Sequence, residues 1–227
     1  MARVKKQIIG SLQGSIADIV IKYRNGKPYA ASKPATANTG TDPVTVFKKN
    51  QGRFAGKLAK AIYDNVYFKK AWSDYTEKKD LVYQNIFSIH YHSINNENLE
   101  GKVFLSPLDG FLLNNPRIEL YEEGINIIAD PIGGNAINPE IEKQLTAAGT
   151  IILKEPNKPY SGNLDFLKIQ FSKVNLDLTG PVELNYHFAP VPHTTFNNYN
   201  LRKIYVSIIT LDENDIPVNF SETTVNF

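Results

Sequence analysis

The chain has 227 residues, enough for one or two domains with a buried core, and its 42% hydrophobic and 21% charged residues are ordinary for a globular protein. It contains no cysteine, which excludes disulfides, thiolate metal sites and a cysteine nucleophile. No apolar run approaches the ~20 residues of a membrane span, and only Ile8 and Ile9 follow the basic N-terminus, so we expect neither membrane association nor a signal peptide.

The net charge of +2 hides a division along the chain. Residues 1–70 carry fourteen Lys or Arg and three acids, a net charge of +11, whereas residues 71–227 carry eleven Lys or Arg and twenty acids, a net charge of −9. A basic segment of this kind favours a polyanion or an acidic protein surface. The chain itself offers such a surface, so copies are expected to pack with the basic segment on the acidic body.

The first 41 residues are predicted to be a basic arm that contains a β-hairpin. A strand-like run spans residues 16–23, Asn25-Gly26 is a strong type I′ turn signal, and residues 29–31 form the returning strand. A two-stranded hairpin is marginal alone. We therefore expect it to join a sheet in its own body or in a neighbouring copy. The small polar residues 35–41 predict a linker.

Residues 42–96 are predicted to be a two-helix segment. Asp42-Pro43 supplies an N-cap and a first-turn proline. A kink is expected at Asp64-Asn65, and Thr76 is expected to cap the second helix. Residues 89–94 look strand-like, so the pattern leaves the end of that helix open. Buried positions are expected at Phe47, Phe54, Leu58, Ala61 and Ile62 in the first helix and at Leu81, Val82, Ile86, Phe87 and Ile89 in the second.

The first helix carries a basic face made of Lys48, Lys49, Arg53, Lys57 and Lys60. Such a face is either a solvated helix surface or a partner-binding surface. No acid is interleaved before Asp64, and like charges four residues apart mildly destabilise a helix, which favours a partner. The candidate interface residues are Arg3, Lys5, Lys6, Arg24, Lys27, Lys49, Arg53 and Lys57.

Residues 97–227 are predicted to be an antiparallel β-sandwich, because short strand-like segments alternate with Gly and Pro turns. A short helix is predicted within it at residues 139–148. The predicted strands are 102–105, 117–120, 125–128, 150–154, 166–171, 182–187, 203–211 and 223–227.

Three short patterns resemble ligand sites. His90-Tyr-His92 places two imidazoles on one face of an extended strand, but it lacks further ligands at metal spacing, so partly exposed polar residues in a strand are the preferred interpretation. Residues 212–215 are acidic but lack calcium-loop spacing and predict a hairpin turn. Residues 132–136 resemble a phosphate loop without its Lys-Ser/Thr and predict a turn. No catalytic motif is present, so we expect a protein that is not an enzyme and holds no cofactor or metal.

Aromatic residues leave two further alternatives open. Tyr23 and Tyr29 lie near cations in the arm, where they would stack on nucleic-acid bases. Aromatic residues in or beside the late loops and strands suit either subunit contacts or stacking on sugars. These residues are Tyr160, Phe196, Tyr199 and Tyr205.

The first ~60 residues resemble a family of proteins from gut Bacteroidota and their phages, with a glycine-spaced basic N-terminal hairpin followed by a Thr-rich linker and a helix. The chain departs from that pattern at Asp18 and at Asn25-Gly-Lys27. The stretches that carry the resemblance are Gly10-Ser-Leu-Gln-Gly14, Ala31-Ser-Lys-Pro34, residues 39–42 and Gln51-Gly-Arg-Phe54.

The resemblance implies no catalytic residues. Because the family occurs in crAss-like phages, it implies a virion structural protein of the ring, neck or tail. We therefore expect an α+β protein with an arm (1–41), a helical segment (42–96) and a β-sandwich-like domain (97–227). Its expected function is a homo-oligomeric neck or tail ring of a tailed phage, made in the host cytoplasm. Its expected partners are copies of itself and neighbouring virion proteins. A β-sandwich module binding carbohydrate or a host surface is the alternative, and nucleic-acid binding through the basic region is the second alternative.

Overall fold

The computed structural model describes nine stretches of the chain. The chain divides into two compact units, Met1–Val46 and Phe47–Phe227, so the predicted helical segment and β-domain share one unit apart from the first residues of the helix. The described residues are 14–16, 19–24, 27–32, 42–94, 101–107, 110–133, 136–157, 164–189 and 196–226.

The arm forms a three-stranded antiparallel sheet. Its strands are β1 (Gly14–Ile16), β2 (Ile19–Arg24) and β3 (Lys27–Ser32), in that order across the sheet. Arg24 pairs with Lys27, so the predicted hairpin is confirmed by the strand register, while its turn residues Asn25 and Gly26 lie outside the described residues. The single strand predicted over residues 16–23 is wrong, because Ile16 pairs with Ile19 across a second two-residue connection.

Three α-helices replace the predicted two. They are α1 (Pro43–Tyr63), α2 (Val66–Tyr75) and α3 (Val82–Ser93), with a 3-10 turn at Lys79–Leu81 before α3. The Asp42 cap is confirmed, since its Oδ1 accepts from the Thr45 N–H at 2.9 Å. The kink at Asp64-Asn65 is also confirmed. There Asn65 Oδ1 accepts from two N–H groups and starts a new helix at once.

Two expectations about helix ends are wrong. Thr76 does not begin a helix; its backbone N–H bonds to the Trp72 carbonyl and ends α2. Residues 89–93 are helical rather than extended, and only Ile94 makes an isolated bridge, with Gly101. The reason is burial at helical spacing, since Val82, Ile86 and His90 are the buried residues of α3.

The described body contains two sheets. One has the strand order β4-β5-β9, and the other is a six-stranded sheet with the central order β11-β10-β6-β7, in which β8 pairs with β6 and β12 with β10. All ladders are antiparallel. The strands are β4 (Arg117–Tyr121), β5 (Gly124–Ala129), β6 (Gln144–Pro156), β7 (Leu164–Gln170), β8 (Val174–Asn175), β9 (Val182–His187), β10 (Tyr199–Leu211), β11 (Pro217–Phe220) and β12 (Thr224–Val225).

The predicted α+β class with a β-sandwich-like region is confirmed, with two local corrections. Residues 102–105 make no ladder with another strand. The helix predicted over 139–148 is a turn followed by the start of β6. A hydrogen bond from the Glu142 N–H to the Asn138 carbonyl, 2.8 Å long, closes this turn.

The six-stranded sheet is the middle of three layers. Ala147 and Ile151 of β6 face one core, shared with the β4-β5-β9 sheet, whereas Ala148 and Ile152 face a second core, shared with the helices. This double burial explains why residues 145–153 are buried without a break. No described helix is long and apolar enough to cross a membrane.

Candidate partner-binding surfaces

The arm exposes apolar side chains as well as charged ones. Ile19 is 51% exposed and Tyr29 is 42% exposed. Lys27 is exposed too, and no side chain described between residues 14 and 46 is buried. The described part of the arm therefore has no core of its own. Covering the exposed apolar side chains would stabilise such a small sheet.

The alternation of β2 and β3 gives the arm sheet two chemically different faces. The register pairs Lys22 with Tyr29 and Arg24 with Lys27, which places these four residues on one face. The opposite face holds Ile19, Ile21, Tyr23 and Pro28 at the intervening positions. The three cations of β2 and β3, Lys22, Arg24 and Lys27, thus occupy positions on the same face of the arm, here called its cationic face. The predicted interface residues Arg3, Lys5 and Lys6 lie outside the described residues.

The basic face of α1 points away from the helical core. Lys49 and Arg53 are exposed, while Phe54, Leu58 and Ile62 on the opposite side are buried. Lys57 is exposed as well, but its Nζ donates to the Leu164 carbonyl at 2.6 Å and ties α1 to β7. Lys57 is therefore partly structural, whereas Lys49 and Arg53 keep the character of surface residues that the sequence predicted.

The acids that flank α1 are already engaged. Asp42 accepts hydrogen bonds from the hydroxyl and the backbone N–H of Thr45, and these bonds lower the pKa of its carboxyl. Asp64 forms a salt bridge with Lys168 at 3.3 Å. Neither acid lies within the row of cations on α1.

The acidity of the body is concentrated around the β4-β5-β9 sheet. Residues 110–133 and 174–189 together contain six acids and one cation, Arg117. All six acids are exposed, and none forms a salt bridge with a described residue. The sequence shows that the second part of the chain is acidic, but it does not show this clustering, because the two segments that contain the six acids lie far apart in the sequence. The six acids are Glu119, Glu122, Glu123, Asp130, Asp177 and Glu183.

The outer face of this sheet is polar. Ile125 and Ile127 of β5 point into the core, so Asn126 points outward, between Glu119 of β4 and Asn185 of β9. The side-chain Oδ1 of Asn126 is buried and has no hydrogen-bond partner among the described residues. A buried acceptor left unpaired costs ~1–3 kcal/mol, so a donor from outside would be favourable there.

The two neighbouring histidines do not form a pair. In α3, residues two apart lie on nearly opposite sides of the helix, so His90 is buried and His92 is exposed. The predicted exposure of both in a strand is therefore wrong. The described residues contain no group of three or more His, Cys, Asp or Glu side chains that would hold a metal ion.

The acidic segment at residues 212–215 connects β10 to β11, which confirms the predicted turn. Asp212 Oδ1 accepts from the N–H groups of Asn214 and Ile216, both at 2.8 Å. Asp215 takes a positive φ of 65° and pairs with Lys173 at 2.7 Å. At residues 132–136, the Ala136 N–H donates to the Gly133 carbonyl, also a turn, although residues 134 and 135 lie outside the described part.

Two of the aromatic residues considered for sugar stacking belong to the core. Phe196 and Tyr199 are 4% and 3% exposed, and the guanidinium of Arg202 lies 4.1 Å from the Phe196 ring centroid. Both lie in or beside β10, as expected, but their rings are buried. Tyr205 is half-buried against the helical core, and Tyr160 lies outside the described residues.

The surfaces described above are the observations from which a function is proposed. No protein-family model matches the chain, and no curated protein matches it.

Proposed function

We propose that the protein is a structural subunit that assembles with copies of itself, using the basic arm to bind a neighbour. The observation that carries this proposal is the exposed three-stranded sheet of the arm, in which Ile19 and Tyr29 are 51% and 42% exposed. Covering one face of this sheet removes its exposed apolar surface from water and stabilises it. A neighbouring copy supplies such a cover.

Electrostatics supports the choice of a second copy as partner. The arm and α1 are cationic, and the β4-β5-β9 sheet together with its flanking segments holds six exposed acids. Opposite patches of this kind favour heterologous, head-to-tail contacts, which close into rings when the rotation between neighbours allows it. Combined with the resemblance of the N-terminal residues, this supports a ring in the neck or tail of a tailed phage particle, with other virion proteins as further neighbours.

Deletion of residues 2–40 tests the proposal. The buried hydrophobic residues of the described chain begin at Phe54, so the truncated protein should keep its fold and its thermal unfolding midpoint. It should lose assembly, measured by size-exclusion chromatography with light scattering and by electron microscopy of rings. A matched variant that replaces linker residues 35–41 with seven Gly and Ser residues should assemble normally. Assembly of the truncated protein, or a full-length protein that stays monomeric at all concentrations, would overturn the proposal.

Nucleic-acid binding is the second candidate, favoured by the uninterrupted cationic stripe of α1. Lys49 and Arg53 are exposed on that stripe, and no acid is interleaved among its five cations. Lys and Arg rows of this kind neutralise phosphates, with an affinity that falls steeply with salt. Self-assembly requires a protein partner, whereas this second function requires DNA or RNA. Gel-retardation assays on variants of Lys49, Arg53 and Lys57 distinguish the two.

A further inference from the structure

We propose that the arm of a second copy binds along strand β4, with the face that holds its three cations next to Glu119 of β4 and to Glu122 and Glu123 in the following turn. This inference rests on the self-assembly proposed above and names the two surfaces that meet. It commits to one occupant, residues 14–32 of a neighbouring chain.

Strand β4 is an open edge of its sheet. It pairs with β5 only among the described strands, so its outward backbone N–H and C=O groups face no other strand of the described body. Leu120 and Tyr121 on β4 are 38% and 37% exposed, which adds apolar area at the same edge. Exposed edges with unpaired backbone groups are the usual docking places for a further β element.

The two faces of the arm match the two faces of the sheet at this edge. Glu119 and Tyr121 of β4 belong to the outer face, and Ile118 packs on the sandwich core. The arm has Arg24 and Lys27 on one face and Ile19 on the other. An arm laid along β4 therefore brings cations beside carboxylates and apolar residues beside the sandwich side. The same docking brings cationic N–H donors near the unpaired Oδ1 of Asn126.

The charge of this region distinguishes it from the other acidic places on the described body. Three acids elsewhere on the described body pair with cations: Asp74 with Lys70, Asp64 with Lys168 and Asp215 with Lys173. Around the β4-β5-β9 sheet only Arg117 accompanies six acids. Between exposed surfaces each added pair contributes ~0.2–1 kcal/mol, so several are needed for a defined contact. Strand β4 and the turn after it provide three neighbouring carboxylates, Glu119, Glu122 and Glu123.

Charge reversal on each side tests the contact. The arm variant carries Arg24→Glu and Lys27→Glu, and the body variant carries Glu119→Lys and Glu123→Lys. Each alone places like charges at the contact and should weaken assembly by about tenfold or more, which corresponds to roughly 1.4 kcal/mol. In a 1:1 mixture the acidic arm of one variant meets the basic β4 region of the other, and the basic arm of the second meets the acidic β4 region of the first. Both contacts then join opposite charges, so the mixture should assemble like the unchanged protein. Restoration by mixing is expected only if the arm binds another copy.

The controls separate this inference from the proposed function. Glu77→Lys with Glu213→Lys makes the same charge change at exposed positions away from the sheet and should assemble normally. Thermal unfolding of every variant checks that the fold is kept. If the unchanged protein assembles but the body variant assembles equally well, or the mixture fails to recover, the β4 contact is wrong while self-assembly stands. If the unchanged protein never assembles, self-assembly itself fails.

Discussion

His90 of α3 and Phe104 are joined by a hydrogen bond that fixes the protonation state of the histidine. The backbone N–H of Phe104 donates to Nε2 of His90 at 3.1 Å, while Nδ1 of the same ring lies 2.8 Å from the Ile86 carbonyl and donates to it. The ring is fully buried. Because burial penalises the charged form, the pKa of His90 lies below its ordinary value. The neutral Nδ1–H tautomer thus links α3 to the segment leading into the sandwich.

The free energy of unfolding should fall when the pH drops below about 6.5, the unfolded pKa of histidine. Below that pH the unfolded chain takes up a proton on His90, whereas the folded state does not until the pH reaches its own, lower pKa. The contribution of His90 to the free energy of unfolding is therefore complete above the unfolded pKa and is lost as the pH falls towards the folded pKa. His90→Gln should cost about 1–3 kcal/mol at neutral pH through unpaired buried groups, and should flatten this part of the profile. Urea unfolding between about pH 5 and pH 7.5 measures both. As a control, His92→Gln at the exposed neighbouring histidine should change neither the stability at neutral pH nor its pH dependence. If the stability of His90→Gln depends on pH as steeply as that of the unchanged protein, the assignment to His90 is contradicted.

Gly149 of β6 pairs with Val206 of β10 and lies against the β10 backbone. A Cβ at this position would stand 2.1 Å from the Tyr205 carbonyl oxygen, a backbone atom in a strand buried on both faces. Gly149→Ala should therefore destabilise the protein by about 1–3 kcal/mol, the usual cost of overpacking a core. Gly133 is the matched control, because a Cβ there meets nothing within 4 Å. Gly133→Ala should stay within about 0.5 kcal/mol, and a Gly149→Ala variant of unchanged unfolding midpoint would contradict the close approach.

Local signals in the sequence predicted the elements that local chemistry controls. Asp42-Pro43 and Asn65 bond to backbone groups within a few residues, and the Asn25-Gly26 position follows from the register of two adjacent strands. Prediction failed where distant packing decides. His90 is drawn into a helix by burial against residues near 104, and residues 144–148 extend because both faces of β6 are covered. The hydrophobic pattern alone did not distinguish a helix from a strand at these two segments.

The candidate site was predictable only in part for the same reason. Charge along the chain identifies a basic arm and an acidic body without any structure. The position of the acids depends on how β4, β5 and β9 come together, since Glu119 and Glu183 are separated by more than sixty positions in the sequence and lie on the same small sheet. The role of Lys57 in holding the Leu164 carbonyl is likewise a long-range contact, which helical spacing does not reveal.

Assembly should weaken as salt rises if cationic arms meet acidic sheets. Exposed charges are screened over ~10 Å at 0.1 M salt and ~3 Å at 1 M, so oligomers should dissociate progressively across that range. Sedimentation velocity at a fixed protein concentration measures the change. The body variant Glu119→Lys with Glu123→Lys should show a smaller salt dependence than the unchanged protein. Oligomers that persist unchanged at 1 M salt would indicate a mainly apolar interface, through the face of the arm that carries Ile19.

Neutralising the basic face of α1 separates a protein partner from nucleic acid. Lys49→Gln and Arg53→Gln remove exposed charges and should each change the free energy of unfolding by less than ~0.5 kcal/mol. Lys57→Gln also removes the bond to the Leu164 carbonyl and should cost about 0.5–1.5 kcal/mol more.

The triple variant at these positions should keep its fold and lose partner binding. A control with Lys78, Lys79 and Lys143 changed to Gln removes the same charge, together with a comparable bond from Lys143 Nζ to the Pro139 carbonyl at 2.8 Å. It should behave like the unchanged protein in assembly. With the acidic sheet as partner, double-stranded DNA should give no retardation at physiological salt. A clear shift that disappears with salt and in the triple variant, but not in the control, would instead assign the basic face of α1 to nucleic acid.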